Sequence, residues 1–523
     1  MRSSYFVIPS LPDGSDTGIF AYLPKYQPEV DKLYAYYDQL QQNASSWQRL
    51  SNRECMDAYS NVFLTDRRNL VMVSSAKNAT DSLLAYDISV LDKGDMSQNW
   101  WICSLFRGND GGNLFCNPEK MLSEADTWTV SGFPIEYCLS EQVEGTCEVN
   151  FSLTIMAVVI VFNFLKVMAM TWVLWRYDAE NILTTVGDAA ASFLLREDPT
   201  TRGMCLADRK NLVRMWKMPG TGVPYTNRRA RWSIAVSKGK WWFFSLLMLA
   251  SFALIFFFGA WGFYHLNKKR GVSLDFASLW RLGFGAPHQD AIVIYDIHTT
   301  GLIGMALLAN IPQLFLAAVW LLYMGIMTSM FLAADWARFG TQGQTLQVSS
   351  PRGQQRGSWL LGAPPIFGVF LLILQIILHW LVSQSIFVIS MQIRTPDGSI
   401  PTATIPSFVN AGFSPVGIIF SVVVSGILVL SVVAMAVRRF PAGAPPVVAT
   451  CSAAISATCH MPRGMDHMGL VYERLRWGQC GDVVHGVAHC SLMPECAFED
   501  GRGRQPTVGW HYAGLRSEKD DGV

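Results

Sequence analysis

Five long stretches of the chain carry almost no charge, and segments that are polar, basic or rich in cysteine separate them. Residues 152–175 hold one charge, Lys166; residues 242–264 hold none; residues 301–332, 359–390 and 407–437 hold none when His379 is neutral. A bilayer with about 30 Å of hydrocarbon asks for about 20 apolar residues per crossing, so each stretch reads as a transmembrane helix. The last three exceed one crossing. That predicts tilt or an interfacial or broken segment, with Pro312, Pro364, Pro365 and Pro415 as the places for it. Buried helices of water-soluble proteins rarely stay uncharged over such lengths. The expected fold class is all-α membrane: a polytopic helical bundle of about five spans behind a mixed, disulfide-bearing N-terminal ectodomain.

The connections set the orientation. Loop 176–240, loop 333–358 and the pair Arg438-Arg439 together hold 17 Lys and Arg, against five in the connections on the other side. By the positive-inside rule, residues 1–151 lie outside the cytosol, while the basic loop 176–241 and the tail 438–523 lie within it. The cluster Lys268-Lys269-Arg270 opposes this vote locally. The transmembrane region then covers residues 152–437.

Composition narrows the partners. With 50% hydrophobic and only 15% charged residues, the chain has too little polar material for an ordinary globule, and its expected partner is the lipid bilayer. A balance of 41 basic and 40 acidic residues leaves no excess for a phosphate backbone, so nucleic acid is not an expected partner. Five of the eleven cysteines (Cys55, Cys103, Cys116, Cys138 and Cys147) precede the first span, as do the sequons at Asn43 and Asn78. Both features fit an oxidising compartment, hence a glycoprotein of the plasma membrane or another secretory-pathway membrane. Cys138 with Cys147 and Cys103 with Cys116 are candidate small-loop disulfides, although four cysteines allow three pairings and Cys55 has no evident partner.

Several segments carry a family resemblance: Cys138-Leu139-Ser140 through Cys147 into Phe151-Ser152-Leu153; Thr185-Val186-Gly187-Asp188 with Ala191-Ser192-Phe193-Leu194; and Asn310-Ile311-Pro312-Gln313. Further on come Val348-Ser349-Ser350-Pro351 with Gln355-Arg356, His379-Trp380-Leu381 with Ser383-Gln384-Ser385, and Cys451 to Ala457. In these the chain resembles a fungal multi-pass membrane protein family named for domain of unknown function 6536. The resemblance implies an integral membrane protein lacking the N-terminal naming domain, and brings no reaction, substrate or catalytic residue with it.

Polar side chains inside spans are costly to leave unpaired and are the first functional candidates. Asn163 with Lys166, Asn310 with Gln313, and Gln375 with His379 are each three or four residues apart, so each pair projects from one helical face. Gathered on a bundle axis they would form one polar layer, with His379 as its titrating group. The alternative is that the amides bond neighbouring helices and Lys166 snorkels to the inner surface. Gly417, Ser421 and Ser425 in the last span recur every four residues and offer a small face for close helix packing.

Outside the spans, Leu183 to Leu195 reads as an amphipathic helix at the inner leaflet. The basic stretch after it (Arg209, Lys210, Arg214, Lys217, Arg228, Arg229, Arg231) suits anionic lipid. The tail holds Cys451, Cys459, His460, Cys480, His485, His489, Cys490 and Cys496, but no C-x2-C knuckle, so no metal site is expected. No phosphate-cradling, zinc-protease or hydrolase motif occurs, and no catalytic residue or cofactor is assigned. Two functions stay open: a transporter or channel for a small polar solute, which needs a continuous polar cavity through the layer, or a non-enzymatic receptor or organising membrane protein, which needs a dry bundle.

Overall fold

In a computed structural model, the chain is described over residues 3–8, 40, 43–59, 66–76, 84–89, 102, 122, 125–130, 132–143, 152–177, 182–208, 210–218, 221–269, 272–288, 291–293, 302–358, 362, 364–391, 408–448, 450–461, 467–484 and 487–513. In chain order the elements are β1 (Ser3–Ile8), β2 (Gln48–Leu50), α1 (Asn52–Tyr59), β3 (Arg67–Ser74), β4 (Ala85–Ser89), β5 (Phe133–Gln142), α2 (Leu153–Arg176), α3 (Val186–Leu195), α4 (Leu212–Lys217), β6 (Val223–Pro224), α5 (Lys238–Tyr264) and α6 (Leu302–Arg338). There follow β7 (Gln344–Thr345), β8 (Gln347–Val348), β9 (Arg356–Gly357), α7 (Pro365–Ser385), β10 (Ile386–Met391), β11 (Phe408–Phe413), α8 (Pro415–Val437), α9 (Ser452–Ala457), β12 (Arg474–Val484), β13 (Val487–Pro494), β14 (Gly503–Arg504) and β15 (His511–Tyr512). Among the described residues, helices α2, α5, α6, α7 and α8 are the five long and apolar enough to cross a membrane, and the chain is a multi-pass helical membrane protein. It forms two compact units: residues 1–150, 254–313 and 380–421, and residues 151–253, 314–379 and 422–523.

In the first unit, a sheet of order β2-β5-β3-β1-β4 has β1 parallel to β3 and its other pairings antiparallel. Helix α1 lays Cys55, Met56 and Tyr59 against Leu70, Met72, Trp128 and Ile135. Cys55 is disulfide-bonded to Cys138 on β5, across 83 residues, with Cα atoms 6.3 Å apart. This corrects the expected pairing of Cys138 with Cys147. Apolar packing of α1 on β5 brings together two cysteines far apart in sequence, and spacing along the chain cannot show that. Cys103, Cys116 and Cys147 lie outside the described residues. The Tyr59 hydroxyl donates to Asn69 O at 2.9 Å and meets Ser140 Oγ at 2.9 Å. Burial pushes this phenol up to about 12.

The surplus length of the last two apolar stretches becomes sheet. Ile386–Met391 and Phe408–Phe413 are rich in β-branched and aromatic residues, and they pair antiparallel from Ile386↔Phe413 to Met391↔Phe408. Pro365 and Pro415 are the first residues of their helices, where a missing N–H costs nothing, so they start helices and break none. Pro312 stays inside an unbroken α6. Gly417 and Ser421 do pack closely: a Cβ on Gly417 would sit 3.3 Å from Gln384 C, and Ser421 Oγ meets Ser385 Oγ at 3.1 Å.

The second unit contains a composite domain built from the loop after α2, the loop after α6 and the tail after α8. Its sheet runs β14-β12-β13-β15-β6, with β7 pairing β12 at the side. Leu475, Trp477, Cys490, Leu492 and Tyr512 from the sheet, Ala190 and Leu194 from α3, Ile455 from α9, and Trp336 with Phe339 at the end of α6 share one core. At about 1.5 Å per residue the 37-residue α6 is about 55 Å long, well beyond the about 30 Å of a hydrocarbon core, so its last turns are free to serve this domain. Its buried residues Tyr323, Ile326, Met327, Met330, Ala333 and Ala337 recur at helical spacing, and Tyr323 reaches Ser431 on α8 at 2.8 Å.

Candidate functional site

The six predicted intramembrane polar residues do not form one layer within either unit. Helix α2 buries none of its 24 residues, so Asn163 and Lys166 are exposed on a helix with no close packing partner among the described residues. Gln375 and His379, in the same unit, are half-buried on α7. In the first unit Asn310 is exposed and its amide donates to Ala306 O at 2.7 Å in its own helix, while Gln313 is half-buried. A water-sized cavity in the second unit is lined by Gly187, Leu332, Asp335, Trp336 and Gln347, and none of the six polar residues lines it. Asn43 is exposed, as a glycan acceptor requires, and Asn78 lies outside the described residues.

Two of the resemblance motifs, 161 residues apart, are one structure. Thr185 caps α3 in a reciprocal capping box with Asp188, and Thr185 Oγ1 donates to Gln347 O at 2.8 Å. Asp188 Oδ1 accepts from Ser349 N at 2.9 Å and from Ser349 Oγ at 3.1 Å. A Cβ on Gly187 would fall 2.1 Å from Gln347 O, so only glycine admits this approach. Burial raises the Asp188 carboxyl, but the hydrogen bonds from Ser349, Thr185 and Thr184 outweigh it and hold its pKa below the ordinary value. The expected inner-leaflet helix is thereby corrected: Ala189, Ala190 and Leu194 of α3 are buried in the protein core, which occupies the apolar face that lipid would have covered.

A buried polar network joins the tail to the loop before α4. Thr201 Oγ1 meets His460 Nε2 at 2.8 Å and Ser456 Oγ at 2.7 Å, and His460 Nδ1 stands 3.8 Å from Glu197 Oε2 with no hydrogen bond of its own. Burial lowers the pKa of His460, with Glu197 opposing. Beside it, Cys205 Sγ donates to Ala513 O at 3.0 Å, and His489 bridges Ala513 O at 3.2 Å and His460 O at 2.7 Å. Burial raises the Cys205 thiol, yet hydrogen bonds with Cys490 and His489 lower it overall, while His489 is raised by Cys205 and Cys480 against its own burial. The hydroxyl-imidazole-carboxylate order resembles a nucleophile and its base. Thr201 is 0% exposed and Ser456 1%, so no substrate reaches either, and the network acts as a structural tie. Sequence reasoning grouped the tail ligands with one another and missed Cys205, because nothing in the chain pattern pairs a loop cysteine with strand β13. Among the described residues no group of three or more His, Cys, Asp or Glu is arranged to hold a metal ion.

The basic stretch divides. Lys210, Arg214 and Lys217 are exposed on and before α4, whose Leu212 and Met215 are buried, while Arg228, Arg229 and Arg231 are exposed beside the tail residues Arg438 and Arg439. Arg209 lies outside the described residues.

A family model described as a domain of unknown function (DUF8419) matches residues 221–499, more than half of the chain, and the chain belongs to that family. The match names neither domain 6536 nor a source organism. No curated protein matches the chain. No solved structure matches it either.

Proposed function

We propose that the protein is a non-enzymatic membrane receptor or organising protein that couples its spans to a cytosolic composite domain, with the N-terminal sheet facing an oxidising compartment. The observation that carries this reading is α6: one helix supplies the buried stripe from Tyr323 to Ala337 and also plants Trp336 and Phe339 in the composite core. A shift or rotation of that span is then felt directly in the domain, because packed cores transmit displacement. Asn163 and Lys166 on the unburied α2 favour this reading over transport of a small polar solute. The positive-inside count, the Cys55–Cys138 bond and the exposed Asn43 support the orientation, and with it a plasma-membrane or secretory-pathway location. The motifs quoted above support kinship with fungal members of the 6536 family, and the basic surface supports anionic lipid as a partner.

Reconstitution in vesicles tests it. Uptake of radiolabelled amino acids, sugars and potassium should equal that of protein-free vesicles. Saturable uptake that Gln375→Leu or His379→Leu removes would replace the receptor reading with transport.

A further inference from the structure

Residues 228–232 and 438–440, some 200 positions apart, run side by side. Arg231 and Arg439 form an antiparallel bridge; Trp232 N donates to Arg438 O at 2.8 Å, and Phe440 N to Ala230 O at 2.9 Å. The Trp232 ring stacks on Phe440 with centroids 6.0 Å apart and planes at 17°, and the Arg438 guanidinium lies 5.3 Å from the indole centroid. The crossing falls at the ends of two spans, since α5 begins at Lys238 and α8 ends at Val437. Five arginines beside Lys238 and Lys240 are thus held as a collar around span ends by backbone bonds and an aromatic stack.

No described acidic residue neutralises the collar. Arg228, Arg229, Arg231, Lys238, Arg438 and Arg439 are exposed, and none is in an ion pair among the described residues. The sequence has no Asp or Glu from residue 209 to 274 or from 398 to 465, so the chain on both sides of the crossing is free of acid. Cations at the C-terminal end of α8 also complement its dipole, which keeps the side chains at the helix end. A fixed, unpaired positive surface where spans leave the hydrocarbon stands at headgroup depth, where each Lys or Arg near an anionic leaflet contributes about fivefold in affinity.

We propose that this collar, rather than the whole basic loop, is the binding site for an anionic phospholipid headgroup, with Arg231 and Arg439 at its centre. The proposal rests on the reading that the spans cross a bilayer. The basic residues of α4 belong to a helix that no backbone bond ties to a span end, and they serve as the internal control.

The experiment uses the full chain in nanodiscs of phosphatidylcholine alone or mixed with phosphatidylserine, and native mass spectrometry of the lipids retained on release. Wild type should retain phosphatidylserine over phosphatidylcholine. Arg231→Gln with Arg439→Gln should lower that preference about 25-fold. Arg231→Lys with Arg439→Lys should keep it, which separates charge from folding, and Arg214→Gln with Lys217→Gln should leave it unchanged. Equal preference in wild type and the Gln pair overturns the proposal, as does loss in the α4 pair of the same size. Displacement of the lipid by millimolar inorganic phosphate would reassign the site to a soluble anion and also overturn it. Failure of the protein to enter neutral nanodiscs at all would instead defeat the underlying membrane reading.

Discussion

The N-terminal sheet and the composite domain solve the same problem, a small core, by different means. The N-terminal sheet draws its described strands from one run of chain and closes it with Cys55–Cys138, which shortens the unfolded loop between α1 and β5. The composite domain gathers three segments that spans hold apart in sequence, and among its described residues it has free cysteines and no disulfide. In its place stand a larger apolar core, the end of α6 inside that core, and the capped turn at Asp188. A covalent staple suits a domain with few buried side chains; membrane helices that already fix segment ends lower the entropy of assembling a domain from pieces.

The contrast can be broken at each of its supports. Trp477→Ala should have the largest effect, because this side chain is 0% exposed at the centre of the composite core; a loss of about 3–5 kcal/mol is expected. Hydrogen exchange read by mass spectrometry should show β12 and β13 losing protection; unchanged exchange there would mean that the core does not hold the sheet. Cys55→Ser should cost about 2–5 kcal/mol, confined to β3, β5 and α1. A matching loss of protection in β12 would mean that the two domains do not fold separately.

Asp188→Asn keeps shape but removes the charge that five donors surround, and should cost about 2 kcal/mol. It should raise exchange at the start of α3 and at Ser349 together, since one carboxylate serves both. Exchange rising at only one of the two segments would count against the shared turn. The smallest effect concerns pH. The His460 pKa is lower folded than unfolded, so the unfolded chain binds the extra proton first. Stability from this group is present above about 6.5 and is lost as pH falls through the lowered folded value. His489 is raised, so its contribution is present below about 6.5 and fades as pH rises through its folded value. His460→Gln should flatten the acid side of the denaturation-midpoint profile and leave the alkaline side; an unchanged acid limb would remove His460 from the balance.

The places where chain pattern misled are instructive. Residues 386–391 and 408–413 are as free of charge as the spans beside them, and the lack of charge alone cannot separate a strand that pairs with its neighbour from one more turn of helix. Leu183 to Leu195 has the amphipathic pattern of a helix on lipid, yet a protein core satisfies an apolar face equally well. Among the candidate residues, types were legible from the chain, whereas neighbours were not. Lys166 stands on a helix that buries none of its residues, while Cys205, a loop residue without any motif, meets Cys490 and His489.

Length and lack of charge determined by themselves that five of the described helices are fit to cross a membrane, because the cost of burying an unpaired polar group in hydrocarbon acts residue by residue and needs no partner to be felt. Tertiary structure alone decided that Cys55 joins Cys138, that Thr185 to Asp188 meets Gln347 and Ser349, and that Arg231 lies beside Arg439. Each of these is a contact between residues distant in the chain. Its free energy depends on which surfaces pack together, and no local pattern encodes that choice.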